Sequence, residues 1–206
     1  MIVLDLFCGA GGASYGYHLA GFDVVGVDRK PQPNYPFEFH QADALTYPLE
    51  GFDIIHASPP CQHYTQRTTT RPYFDLIPLT RERIEAYPYV IENVPGAPLH
   101  NPITLCGTSF PPLEVRRHRI FESNMTLIGK PCNHERLSKP KYPGSTNRSN
   151  LRTVCDIGSG KTPLAVQKGA IGIHWMHSHR ELSQAIPPQY TEYIGTQLRT
   201  LFCDRV

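Results

Sequence analysis

Hydrophobic and polar positions over the first ninety or so residues switch between two periods. Ile2 to Phe7 is a short apolar run closed by a glycine cluster, Ala13 to Ala20 has helical spacing with Gly21 as its stop, and Val24 to Val27 is a β-branched run ending at Asp28. Phe52 to Ala57 is a further strand-like run closed by Ser58-Pro59-Pro60, and Tyr89 to Ile91 another, closed by Glu92-Asn93-Val94-Pro95. Strands alternating with helical segments predict an α/β fold with a doubly wound, mostly parallel sheet, whose ligands sit at the carboxyl ends of the strands. All of these polar closures fall there. Between Ser138 and Asn150 neither period survives, which predicts a loop insertion. Helical spacing returns from Leu182 to Leu201, with Pro187-Pro188 opening a final helix.

Composition narrows the class. A chain of 206 residues, 40% apolar and 18% charged, supports one globular domain with a small lobe, and 20 prolines, about double the usual share of roughly 5%, predict long irregular connections. No stretch approaches the roughly 18 to 20 apolar residues that span a bilayer, and the apolar start carries Asp5 with no basic residue before it, so neither a membrane span nor a secretory signal is expected. The six cysteines lie at 8, 61, 106, 132, 155 and 203 without a CxxC pair and are read as reduced thiols of a cytoplasmic protein. Cys132, His134 and Cys155, with Cys106 nearby, lack the paired spacing of structural zinc ligands, so no metal is expected.

Charge changes the picture only when it is divided along the chain. Residues 116–170 hold eleven Lys/Arg against three Asp/Glu, a net of +8 that leaves −6 for the rest of a +2 chain. A basic lobe on a mildly acidic body is how a nucleic-acid face presents itself in sequence, and also how a merely solvated basic surface does.

Four clusters carry candidate chemistry. In DLFCGAGG, Asp5 to Gly12, glycines between a strand and a helix let backbone approach a ligand beside unpaired helix N–H groups. The dinucleotide spacing is not met in register, which favours a nucleoside cofactor other than NAD. Asp28 ends the second strand, where a carboxylate accepts hydrogen bonds from ribose hydroxyls, and Asp43 holds a similar position; each could equally be a cap or turn residue. In SPPCQ, two prolines fix the backbone before Cys61, as suits a nucleophile, and Glu92 of IENVP stands one strand-helix-strand unit further on, so the two could flank one crevice. In RRHRIF, Arg117 and Arg119 alternate along an extended strand and could grip a carbonyl oxygen and a phosphate together.

In chain order, DLFCGAGG, VDR, QAD, SPPCQ, ENV and RRHRIF resemble the successive motifs of the DNA cytosine-5 methyltransferase family, over roughly residues 1–121 with a weaker match at the C-terminal helix. The resemblance implies a Rossmann-like S-adenosylmethionine-dependent methyltransferase fold. Residues 1–121 would be the catalytic and cofactor-binding core, 122–170 a small basic target-recognition insertion, and 171–206 a segment returning to the core. It further implies that Phe7, Gly9, Gly11 and Gly12 line S-adenosylmethionine, with Asp28 on its ribose, Asp43 on its adenine, and Arg29, Ala44, Pro59, Gln184 and Ala185 beside them. Cys61 would add to carbon-6 of a cytosine flipped out of a DNA duplex, Glu92 would hold or protonate ring nitrogen 3, and Arg119, supported by Arg117, would bind the ring's carbonyl oxygen. Gln62, Arg116, Lys130, Lys139, Lys141, Arg148 and Arg152 would face double-stranded DNA. The implied enzyme is a monomer without a metal, of a size that suits a phage or mobile-element enzyme. Two departures stand out: Val115 replaces the Gln that usually opens the arginine motif, and Ser183-Gln184 stand where the family has Gly-Asn. The short insertion leaves open the same chemistry on free deoxycytidine nucleotide or RNA, and a DNA-binding relative without turnover.

Overall fold

Strand β1 (Ile2–Leu6) and strand β4 (Ile54–Ala57) are almost wholly buried, as continuous apolar runs in parallel sheets are, because helices cover both faces. A computed structural model describes residues 1–64, 74–138, 152–153, 155–158 and 160–203. Around β1 and β4 it places β2 (Asp23–Asp28), β3 (Glu38–Gln41), β5 (Tyr89–Asn93), β6 (Ile103–Cys106) and β7 (His118–Ser123) in one seven-stranded sheet of order β3-β2-β1-β4-β5-β7-β6. All pairs are parallel except β5–β7 and β6–β7, so the expected doubly wound, mostly parallel α/β sheet is the fold. Chain order reverses direction between β1 and β4, and the crevice beyond their carboxyl ends is where such sheets bind ligands.

Alternation along the strands supplies two cores. Val3, Ile54, Val90 and Phe121 face one side, where they meet Tyr17 of α1 (Gly12–Leu19) and Tyr190, Ile194 and Leu198 of α5 (Pro188–Cys203). Leu4, Ile55 and Ile91 face the other and meet Ile77 and Ile84 of α2 (Ile77–Ile84). Thr191 Oγ1 donates to Ala13 O at 2.8 Å, fastening α5 across the helix that follows the glycine cluster. Beyond the sheet lie a two-stranded ladder, β8 (Leu137–Ser138) with β9 (Arg152–Thr153), and helices α3 (Leu164–Ile171) and α4 (His179–Gln184).

The differences from the sequence reading are local. Phe7 leaves β1 with a φ of +59°, so the strand stops at Leu6. β3 and β6 have weak apolar patterns because each is an edge strand with one neighbour. RRHRIF, by contrast, enters an inner strand that begins at His118. Most of the loop expected between Ser138 and Asn150 lies outside the described residues. Among the described residues no helix is long and apolar enough to cross a membrane.

Candidate active site

Cys61 opens a single 3-10 turn, Cys61–His63, immediately after Pro59-Pro60 at the carboxyl end of β4. Glu92 stands near the end of β5, and β7 runs antiparallel beside it, which brings Arg119 back toward the same crevice. Arg119 Nε lies 2.9 Å from Glu92 Oε1, with both side chains largely out of solvent, and its Nη1 donates to His118 O at 2.8 Å. Arg117 is half-buried and close enough for its charge to act on both Glu92 and Cys61; its Nη2 donates to Ser183 O and its own carbonyl accepts from Tyr190 Oη. The four side chains assigned to chemistry by resemblance therefore converge, although they come from a turn, from β5, from β7 and from the residue just before β7.

Burial dominates the electrostatics of both Cys61 and Glu92. Burial, then the Glu92 carboxylate, raises the Cys61 thiol above its ordinary range, against the opposing pull of Arg119 and Arg117. Burial also raises Glu92, with the two arginines and a Ser58 hydrogen bond pulling the other way. Burial and the like charge of Arg119 lower Arg117. A thiol ready to ionise would have its pKa depressed; here ionisation is held back while Glu92 is negative.

A second layer that the sequence reading did not single out holds this arrangement. His56 of β4 is fully buried, with Nδ1 3.0 Å from Tyr17 Oη and Nε2 3.0 Å from Ser58 Oγ. Burial lowers its pKa to about 3, so the ring is neutral and can accept on one side while donating on the other. Since Ser58 also bonds Glu92, the chain Tyr17–His56–Ser58–Glu92 runs from α1 to the candidate acid. Asn93 Nδ2 donates to Pro59 O at 2.9 Å and fixes the Pro-Pro-Cys turn against β5. A His inside the otherwise apolar IIHA strand is the signal that could have found this layer.

The glycine cluster forms a cradle beside the crevice. Gly9 has a φ of +51° and nothing within 4 Å of where a Cβ would stand, so its open side faces free space. Its N–H donates to Asp28 Oδ2 at 3.1 Å, and Lys30 N–H to Asp28 Oδ1 at 2.9 Å, which hold that carboxylate at the rim. Gly11 and Gly12 do different work. A Cβ on Gly11 would stand 2.9 Å from Pro36, and one on Gly12 would stand 2.5 Å from Ile186 O and 3.3 Å from Ala185 Cβ, so both are required for close packing. That packing seats Ala185 against the cluster, while a capping box between Ser178 and Glu181 secures α4 and leaves Gln184 exposed. Trp175 donates to Ala10 O at 2.8 Å and stacks on Tyr15 at 4.4 Å, a packing role that also anchors the cluster. Phe7 is half-buried, Arg29 exposed, and Ala44 and Pro59 buried; Asp43 Oδ1 accepts from Leu45 N–H at 2.9 Å, the turn role weighed for it from sequence.

The basic segment divides. Lys139, Lys141 and Arg148 lie outside the described residues, and Arg152 lies in β9. Gln62 is half-buried in the turn after Cys61. Arg116, expected on DNA, instead directs Nη2 to the carbonyls of His134 and Leu137, and Lys130 Nζ rests 4.7 Å over the Phe110 ring. The expectation of no metal rested on spacing along the chain, and the chain's folding brings distant ligand types together. Cys106, His118, Cys132 and His134 place their ligand atoms within 4.8 Å of one another; Cys155 is not among them and its N–H pairs with Glu114 O.

No family model matches the chain. It is 33% identical over 224 aligned positions to the type II methylase M.HgiDII of Herpetosiphon aurantiacus; the match takes in 94% of this chain but 56% of that protein, so the chain spans little more than half the length of this curated relative. Among solved structures it resembles the Dnmt2 methyltransferase of S. pombe (TM-score 0.58, 15% identity, 98% of this chain and 99% of the other). It resembles a mutant DNMT2 of Spodoptera frugiperda to a similar degree (TM-score 0.60, 12% identity, 98% and 99%), as it does the Entamoeba histolytica methyltransferase EhMeth (TM-score 0.57, 11% identity, 100% and 99%). At these identities the three structures establish the shared fold.

Proposed function

We propose that the chain is a methyltransferase that transfers a methyl group from S-adenosylmethionine to carbon-5 of cytosine in DNA. The observation that carries the proposal is the meeting of Cys61, Glu92, Arg119 and Arg117 beyond the ends of β4 and β5, beside a glycine cradle. The type II methylase relative supports methyl transfer, and the order of motifs supports cytosine carbon-5.

The cradle fits a nucleoside cofactor: open space over Gly9, a carboxylate at Asp28 held by backbone N–H groups, and Phe7, Asp43, Ala44 and Ala185 nearby would hold S-adenosylmethionine. When bound, that group supplies an electrophilic methyl. The chain's own residues make the ring accept it. Glu92, whose pKa burial raises, would hold a proton toward ring nitrogen 3, and while the carboxyl carries that proton it has no negative charge to raise Cys61, so the thiolate forms more readily beside Arg119 and Arg117. The Cys61 thiolate adds to carbon-6, and Arg119 with Arg117 stabilises the charge gathering on the carbonyl oxygen. Carbon-5, now an enamine carbon, takes the methyl group; loss of its proton and elimination of Cys61 restore the ring. The raised pKa values are thus compatible with turnover, since one proton on Glu92 serves both residues.

The test is transfer of labelled methyl from S-adenosylmethionine to unmodified duplex DNA, with deoxycytidine monophosphate and tRNA run beside it and the product base identified. Label at cytosine carbon-5 in DNA, lost in Cys61→Ser by a factor on the order of 10⁴ with cofactor binding retained, is the expected result. A fully active Cys61→Ser protein would overturn the mechanism, and label only in nucleotide or tRNA would overturn the substrate.

A further inference from the structure

Outside the crevice, one cluster of metal-binding side chains among the described residues has the composition and the geometry of a closed site. Cys106 ends β6 and His118 begins β7, and the two are register partners across the antiparallel pair, so their side chains leave the same face of the sheet side by side. Cys132 and His134 come from the segment that follows β7 and meet them from above. Cys106 Sγ lies 3.7 Å from His134 Nε2, Cys132 Sγ lies 3.5 Å from His118 Nε2, and the two Nε2 atoms are 3.2 Å apart.

These separations are those of four ligands around one ion. With metal–sulfur bonds near 2.3 Å and metal–nitrogen bonds near 2.0 to 2.1 Å, a tetrahedral zinc sets sulfur and nitrogen about 3.6 Å apart and two nitrogens about 3.4 Å apart. Two thiols and two imidazoles are the borderline-soft donor set that selects zinc among common divalent ions. An outer layer is also in place: Thr108 Oγ1 donates to Cys106 Sγ at 3.2 Å and accepts from Asn133 N–H at 3.2 Å, linking a ligand on one segment to the backbone of the other.

We infer that Cys106, His118, Cys132 and His134 bind one structural zinc ion that fastens residues 131–137 to the β6–β7 edge of the sheet. All four positions are filled by protein, so the site has no open position for substrate and its role is to hold. The fastened segment is also tied by Arg136, whose guanidinium donates to Thr108 O at 3.0 Å and Gly107 O at 3.1 Å, and by Ser109 Oγ to Pro131 O at 2.6 Å. The inference stands apart from methyl transfer: a protein inactive on every cytosine substrate would still carry the ion.

The experiment uses the full chain, purified without a polyhistidine tag and desalted, with metal content measured by plasma mass spectrometry. One equivalent of zinc per chain is expected, and cobalt(II) in its place should give the intense visible bands of a tetrahedral thiolate site. Cys132→Ser, at an exposed ligand, should lose both signals, whereas Cys155→Ser should keep both. Less than a tenth of an equivalent together with no cobalt bands in the folded wild-type protein would overturn the site. So would a Cys106–Cys132 disulfide in freshly purified protein, or equal loss of metal in Cys155→Ser.

Discussion

Glu92 and Glu122 occupy neighbouring rungs of the β5–β7 ladder, face opposite sides of the sheet, and are both buried, yet their environments differ in kind. Glu122 receives a two-pronged contact from Arg81 at 2.7 Å and 2.7 Å, Tyr89 Oη at 2.9 Å and His100 N–H at 2.7 Å. Burial pushes its pKa up, but the Arg81, His100 and Tyr89 hydrogen bonds outweigh it and bring the carboxyl below its ordinary value. Glu92 has one close arginine and Ser58, and burial wins. The comparison teaches that donor count separates a carboxylate that holds the fold from one left with capacity for a ligand.

The sharpest way to break that comparison is to remove the arginine from each. Arg81→Ala leaves Glu122 buried and uncompensated, and unfolding stability should fall by about 3 to 5 kcal/mol, read from the denaturant midpoint. Arg119→Ala should cost only about 1 to 2 kcal/mol of stability, because Glu92 can take up a proton instead. Its methyl transfer should drop by roughly 10² to 10³-fold. If the two variants were equally destabilised, Glu92 would be a structural ion pair like Glu122 and the proposed division would collapse.

A smaller effect sharpens the contrast with the centre of the sheet, where charge is removed rather than paired. Asp5 and His56 are register partners on β1 and β4, both fully buried. Burial raises Asp5 to about 7, opposed by its Ser14 hydrogen bond, and lowers His56 to about 3. For Asp5 the folded state keeps a proton that the unfolded chain has released, so its contribution is lost as pH rises from about 4 to about 7. For His56 the unfolded chain gains a proton first, so its contribution is lost as pH falls from about 6.5 toward 3. The two slopes oppose each other over most of one window. Asp5→Asn removes one of them: relative to wild type, its stability should increase by about 1.4 kcal/mol per pH unit between roughly pH 4 and 7. Parallel melting curves for the two proteins across that range would reveal no such divergence if Asp5 were ionised in the folded state.

How much of this was legible in the sequence depends on whether chemistry followed chain order. β1, α1, β2, β4 and β5 could be read because continuous apolar runs and glycine or proline punctuation sit next to one another in the chain. Cys61 and Glu92 were legible as strand-end residues. What was not legible depends on pairing across strands. Cys106 and His118 become neighbours only through the antiparallel β6–β7 ladder, and β6 itself was hidden by its short edge-strand pattern. The Asp5–His56 juxtaposition likewise needs the β1–β4 register. The net +8 of residues 116–170 was correct as arithmetic but overstated as surface, since several of those side chains donate to backbone carbonyls: Arg117 to Ser183, Arg136 to Thr108 and Gly107, Lys168 to His174.

Arg116 provides the finest test of that last distinction. Along RRHR, side chains alternate, so Arg117 and Arg119 turn to Glu92 and Cys61 while Arg116 and His118 turn to the 131–137 segment. A phosphate contact and a backbone tie make different predictions for Arg116→Ala. Loss of a phosphate contact would weaken DNA affinity uniformly and reduce the magnitude of the salt slope by about one, with stability untouched. Loss of the tie leaves the His134 and Leu137 carbonyls without their guanidinium, which should lower stability by about 1 to 3 kcal/mol while the salt slope stays within error of wild type. The second outcome is expected. It would mean that RRHR uses its two faces for separate tasks, and that the proposed DNA binding draws on basic side chains other than the one next to Arg117.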